Sequence, residues 1–203
     1  MRTIGLIGGI TPQSTVMYYE ILNNFVAKHY GGKHSCKVVI HSLDFGEIHE
    51  LQGKGRWDLL DVLMEKAGTS LEGAGADCIL ICANTMHLCI DAVRKAVSIP
   101  VIHIAEATAE KILEKKLKTI ALLGTKYTME KDFYKAVLTS FGIKTLIPNA
   151  TEREEVNRVI YFQPLTYVPS FSVSGGMRFI KPITGEFCHF IKNYNNIILF
   201  VIF

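Results

Sequence analysis

The chain has 203 residues, 49% of them hydrophobic, with 22 basic and 19 acidic side chains and a net charge of +3. That is enough apolar material for one ordinary domain or two small ones. The charges are scattered and no zinc-finger or RNA-binding signature accompanies them, which excludes nucleic acid as an expected partner.

Thr3 to Gly8 is a short apolar run that predicts a first strand. It reads as a strand rather than as a signal peptide, so a cytoplasmic protein is expected. Gly8-Gly9-Ile10-Thr11-Pro12 then turns the chain into a helix with apolar spacing through Val16, Tyr19, Ile21, Leu22 and Phe25. A glycine turn before a helix suits an anion, because backbone N–H groups there face outward unpaired. The Gly-x-Gly-x-x-Gly fingerprint is missing, as is an acidic residue about 20 positions on, so a carboxylate fits better than a dinucleotide. Gly9 and Thr11 are therefore candidate substrate-binding positions.

Lys37 to Ser42 predicts a second strand, and Leu43 to Arg56 reads as a long polar loop of the kind that carries function. A helix over 57–73, a strand over 76–82, a helix over 86–97 and a strand over 100–103 follow. Next come a helix over 106–116, a strand over 118–124, a helix over 129–141 and a strand over 144–148. The pattern Thr151-x-x-Glu154 has the spacing of a capping box and predicts a last helix, to Tyr161. Such alternation requires parallel sheets covered by helices. Thr3-Ile-Gly-Leu-Ile-Gly-Gly and Thr119-Ile-Ala-Leu-Leu-Gly-Thr align, which predicts two similar α/β halves, each offering strand-to-helix loops to a cleft.

The stretch Cys78-Ile-Leu-Ile-Cys82-Ala-Asn84-Thr85-Met-His87 holds the most chemistry. An apolar run delivers Cys82 into a polar turn, and a helix pattern (Leu88, Ile90, Val93, Val97) begins directly afterwards. A helix N-terminus favours thiolate over thiol, so Cys82 is expected to be the most reactive cysteine, with Asn84 and Thr85 presenting donors to a carboxylate. Cys78 reads as a core residue. Five cysteines (Cys36, Cys78, Cys82, Cys89, Cys188) are odd in number and irregular in spacing, which argues against a disulfide framework. Cys78, Cys82, His87 and Cys89 contain no Cys-x-x-Cys pair and straddle a strand and a helix, so no metal is expected. His87 and His103 are not spaced as obvious bases for a cysteine nucleophile.

Gly8-Gly9-Ile10-Thr11-Pro12, Cys82-Ala83-Asn84-Thr85-Met86-His87, and Leu123-Gly124-Thr125 with Thr128 resemble the aspartate/glutamate racemase family, and Tyr161 fits too. The resemblance covers the chain to about Tyr161. It implies two pseudo-symmetric, doubly wound, flavodoxin-like α/β halves, no pyridoxal phosphate or other cofactor, and a homodimer. It also implies a small acidic amino acid as substrate, aspartate or glutamate, held between one cysteine from each half, one removing the α-proton and the other returning one. On that basis Asn84 and Thr85 would take the α-carboxylate, with Thr125 and Thr128 opposite. Gln52, Arg56 and Lys126 are candidates for the distal carboxylate, and Tyr161 for a wall of the site.

The expected division is 1–104 for the first half, 105–161 for the start of an incomplete second half, and 162–203 for an atypical tail. The family's second cysteine lies in a Gly-Cys-Thr-Glu-like turn, which this sequence lacks. Residues 162–203 hold three of the six prolines and one of the 19 acidic residues. A frame change or truncation after Tyr161 would account for that shift. Cys188, with no apolar strand before it, is not expected to be an equivalent base, and the apolar end is too short to span a membrane. Two other functions fit the residues: a non-catalytic remnant that binds a dicarboxylate, and an isomerase or lyase using Cys82 as nucleophile.

Overall fold

A computed structural model describes residues 1–162 and 198–200. These fall into two compact units that divide between residues 111 and 112.

The first unit runs β1 (Ile4–Gly8), α1 (Pro12–Tyr30), β2 (Val38–Ser42), α2 (Phe45–Gly53), α3 (Trp57–Gly73) and β3 (Cys78–Ile81). A 3-10 helix (Thr85–Cys89), α4 (Ile90–Ala96), β4 (Val101–Ile102) and α5 (Ile104–Glu114) follow, and α5 carries the chain across the division. All strand pairings are parallel, in the order β2-β1-β3-β4. The order reverses direction between β1 and β3, so the loops leaving their carboxyl ends open a crevice, the place where ligands bind in sheets of this kind. Ile7, Leu60, Met64, Ile79, Ile81 and Val93 form the centre of the core, each 1% exposed or less. Burying side chains of this size contributes roughly 1.5–3 kcal/mol apiece, which holds helices and sheet together.

The second unit runs β5 (Thr119–Leu123), α6 (Lys126–Glu130), α7 (Asp132–Ser140), β6 (Lys144–Leu146), α8 (Ala150–Phe162) and β7 (Ile198–Phe200). Its sheet is also parallel, ordered β6-β5-β7, with Ala121 opposite Ile198 and Leu123 opposite Phe200. The α/β class with parallel sheets is as the sequence predicts. The apolar end of the chain thus supplies a strand, while Cys188 and most of the tail lie outside the described residues.

Four local expectations need correction. The polar loop after β2 contains α2, whose N-cap Asp44 accepts a hydrogen bond from the Glu47 backbone N–H at 3.1 Å. The last helix is capped by Asn149 and Glu152, not Thr151 and Glu154. The Asn149 side chain accepts from the Glu152 N–H at 3.0 Å, and the Glu152 carboxylate accepts from the Asn149 N–H at 2.9 Å. The single helix expected over 129–141 is two, separated by Lys131 in an extended conformation. Finally, the apolar spacing of α1 does not mark a buried face. Val16, Tyr19, Ile21 and Phe25 are exposed, and the residues it buries are Ser14, Thr15 and Val26.

Candidate active site

Cys82 follows β3 at its carboxyl end, and its backbone N–H donates to the Ile7 carbonyl at 2.9 Å, which aligns it beside the end of β1. Gly9 to Thr11 leave β1 at the same edge, so the two segments flank the switch point of the sheet. Ser14, in the first turn of α1, is 1% exposed and donates its hydroxyl to the Cys82 carbonyl. One turn of helix α1 is thereby fastened to the backbone that carries the thiol. Reading the sequence missed Ser14. The available signal was a pair of small polar residues, Ser14 and Thr15, at the head of a helix where it meets a strand end.

The glycine turn is tightly built. Gly9 has φ +81°, its N–H donates to Thr15 Oγ1 at 2.9 Å, and a Cβ there would overlap the Leu43 carbonyl oxygen. Thr11 caps α1 with φ +106°, a left-handed conformation that costs a non-glycine residue of order 1–3 kcal/mol and that is kept where surrounding structure enforces it. Asn84 and Thr85 are buried at 5% and 7% exposure in the turn after Cys82. Gln52 of α2 is also buried, and its amide Nε2 donates to Met86 Sδ at 3.2 Å, tying α2 to the 3-10 helix. The structure therefore gathers Cys82, Asn84, Thr85 and Gln52 into one packed region of the first unit. It treats Arg56 differently: that guanidinium is exposed and forks onto the Asp58 carboxylate at 2.9 and 2.7 Å.

In the second unit Thr125 caps α6, accepting from the Thr128 N–H at 3.3 Å, and the two hydroxyls lie 3.1 Å apart. Lys126 is exposed, and its backbone N–H donates to Asn157 Oδ1 at 2.7 Å, joining α6 to α8. Tyr161, on α8, is half-buried, and desolvation followed by the neighbouring Tyr127 raises its phenol pKa. Among the described residues no group of three or more His, Cys, Asp or Glu side chains is placed to hold a metal, and no helix is long and apolar enough to cross a membrane.

Residues 7–168 match the Asp/Glu/hydantoin racemase family. The chain belongs to that family. Family members are amino-acid racemases, which are isomerases, and a small amino-acid substrate goes with that chemistry. The chain is 26% identical over 167 residues to the broad specificity amino-acid racemase RacX of Bacillus subtilis (strain 168), covering 77% of this chain and 69% of that protein. A Yersinia pestis structure with a provisional Asp/Glu racemase assignment superposes with a TM-score of 0.75 at 46% identity, over 79% of this chain and 70% of that one. An aspartate racemase homologue from Pyrococcus horikoshii OT3 gives a TM-score of 0.70 at 37% identity, over 80% of this chain and 71% of that one.

At Cys82 burial acts against the thiolate that a helix N-terminus would favour. Cys82 is 1% exposed, and burial pushes its pKa up to about 12. The 3-10 helix that follows leads directly into α4, yet desolvation of the thiolate dominates. The resting side chain is a thiol. Cys89 is pushed higher still, by burial first and then by the Asp61 carboxylate. Burial therefore puts Cys36 and Cys78 ahead of Cys82 in expected reactivity. Alkylation of the folded, ligand-free racemase should label the half-buried Cys36 and Cys78 before Cys82, and peptide mass spectrometry over a time course checks this.

His87 and His103 face each other at the head of α5, ring centroids 4.8 Å apart. Burial, then His103, lowers the His87 pKa from 6.5 to about 3, and burial lowers that of His103. The unfolded chain takes up these protons near pH 6.5, whereas folded His87 stays neutral until about pH 3. Stability is accordingly complete above pH 6.5 and falls as the pH drops towards 3, by up to about 1.4 kcal/mol per unit for one fully linked proton. Urea midpoints measured from pH 7 to pH 4 check the slope.

Proposed function

We propose that this protein racemises an acidic amino acid, aspartate or glutamate, without pyridoxal phosphate, using the Cys82 thiol as one acid/base. What supports the reading is the position of Cys82: a buried thiol at the carboxyl end of β3, beside the Gly9–Thr11 turn and followed by Asn84 and Thr85. Removal of an α-proton builds negative charge on the α-carboxylate, and fixed N–H and hydroxyl donors are worth most at that moment. Asn84 and Thr85, with the Gly9–Thr11 backbone, are the donors this proposal assigns. Because the thiol rests protonated, Cys82 suits the delivery of a proton to the carbanion, and it removes one only through its thiolate. Cytoplasmic location and a homodimeric assembly belong to the same proposal.

A second reading, a protein that binds a dicarboxylate without turning it over, draws its support from the protonated state of Cys82. Deuterium oxide separates the two. Each enantiomer of aspartate and glutamate is incubated with the protein, the loss of the α-proton signal is followed by NMR, and inversion by chiral chromatography. Racemisation predicts exchange with inversion. Its rate should climb about tenfold per pH unit through the neutral range as the thiolate fraction does, since the thiol pKa is about 12. Binding seen by calorimetry without exchange in any of the four amino acids sinks the racemase reading.

A further inference from the structure

We propose that His87 is a positioning residue for this site: its imidazole, donating to the Ala83 carbonyl and accepting from the Ile104 N–H, fixes the turn that carries Cys82 against the start of α5. Nδ1 lies 2.9 Å from the Ala83 oxygen and Nε2 lies 3.2 Å from the Ile104 nitrogen. A carbonyl donates nothing and an amide N–H accepts nothing, so the proton must sit on Nδ1 and the lone pair on Nε2. One tautomer is thus dictated by two backbone groups 21 positions apart, one immediately after Cys82 and the other opening a helix.

The helix end shows why the ring belongs there. The first four N–H groups of a helix have no partner within it. In α5 the Ile104 N–H goes to His87 Nε2 and the Ala105 N–H to His103 Nδ1 at 3.0 Å, while Glu106 and Ala107 donate to the His103 carbonyl at 3.0 and 3.3 Å. Two imidazoles 4.8 Å apart therefore close the helix, and both must be neutral to accept. His87 is the one of the two that also reaches the thiol's turn. It is 1% exposed and both ring nitrogens are engaged by backbone groups, so its contribution is geometric. A proton on Nε2 would set two donors against each other.

The kinetic part of this proposal rests on the racemase reading; the structural part does not. Replacing His87 with phenylalanine keeps a ring and removes both hydrogen bonds, whereas His87→Gln retains one donor and one acceptor. The expected result is a kcat about 10²-fold lower in His87→Phe with KM little changed, and most of kcat recovered in His87→Gln at a matched melting temperature. Without any substrate, His87→Phe should raise the alkylation rate of Cys82 relative to Cys36, and His87→Gln should not. Ring nitrogen shifts of the unmodified protein at pH 7 should report the Nδ1–H tautomer. Wild-type kcat and Cys82 labelling in His87→Phe overturn the proposal, as does equal impairment in both variants or an Nε2–H or averaged ring. If His87→Phe does not fold, the glutamine variant and the nitrogen shifts decide. If the unmodified protein turns over no amino acid, it is the racemase reading that falls, and the shifts and the labelling still decide the role of His87.

Discussion

Cys82→Ala is expected to bring α-proton exchange and racemisation down to background, while Cys188→Ala leaves both unchanged. Losing a positioned general acid/base costs about 10²- to 10⁴-fold, and among the described residues no neighbour substitutes for this one. Among those residues, His87 has both ring nitrogens engaged with backbone, and Cys89 is buried with its thiol held against Asp61. Cys82→Ser separates proton transfer from packing, because it preserves shape and polarity but raises the acid's pKa far above that of a thiol. Both variants should remain folded under assay conditions, which urea unfolding checks, so that lost activity reflects lost chemistry. Activity lost as fully in Cys188→Ala as in Cys82→Ala would make Cys188 the second base and overturn the expectation that it is not an equivalent one.

The second large effect is on stability. Gly9→Ala places a methyl group against the carbonyl oxygen and nitrogen of Leu43 and the Ser42 hydroxyl, at a residue whose φ is +81°. Two of those three obstacles are backbone, held by the β1–β2 pairing and by the Leu43 N–H bond to the Gly8 carbonyl, so little can move aside. Left-handed strain of about 1–2 kcal/mol and overpacking of about 1–3 kcal/mol then act together. A loss of about 2–5 kcal/mol is expected, a large share of the 5–15 kcal/mol typical of a folded domain. Gly75→Ala is the control: φ is +87° there, but nothing lies within 4 Å of the added methyl, so only the strain of about 1–2 kcal/mol remains. Urea unfolding of the two variants should show the difference, and equal losses would remove the steric argument.

Period and punctuation made most of the fold legible. Continuous apolar runs mark β1, β3 and β5, and the helical pattern of α3 gives its limits to the residue. Two of the misses, at α2 and α8, share a cause, which is that each depended on which of two local signals prevails. In α2 the glycines Gly46 and Gly53 argue for a loop, yet Asp44 and Glu47 at capping distance close the first turn. At α8 both Asn149 and Thr151 are competent caps. Asparagine prevails, with Glu152 answering it. For Cys82 the location was legible and the ionisation was not. A strand end followed by a helical pattern can be read from sequence, whereas desolvation depends on packing from α1 and the rest of the core, which no local pattern shows.

The hydroxyl of Ser14 and the carbonyl of Cys82 are 68 positions apart in sequence. A contact of that span cannot form until the intervening chain has been gathered in, and the entropy of closing so long a loop must be met by β1–β3 pairing and the core beneath it. The environment of the thiol is therefore assembled late in folding rather than nucleated locally. In the denatured ensemble the five thiols have nearly equal access to a reagent. During refolding, protection of Cys82 should arise together with sheet closure, and not with the earlier growth of α1 or α3. A pulse of thiol reagent applied at successive refolding times would turn Cys82 into a clock for completion of the first sheet.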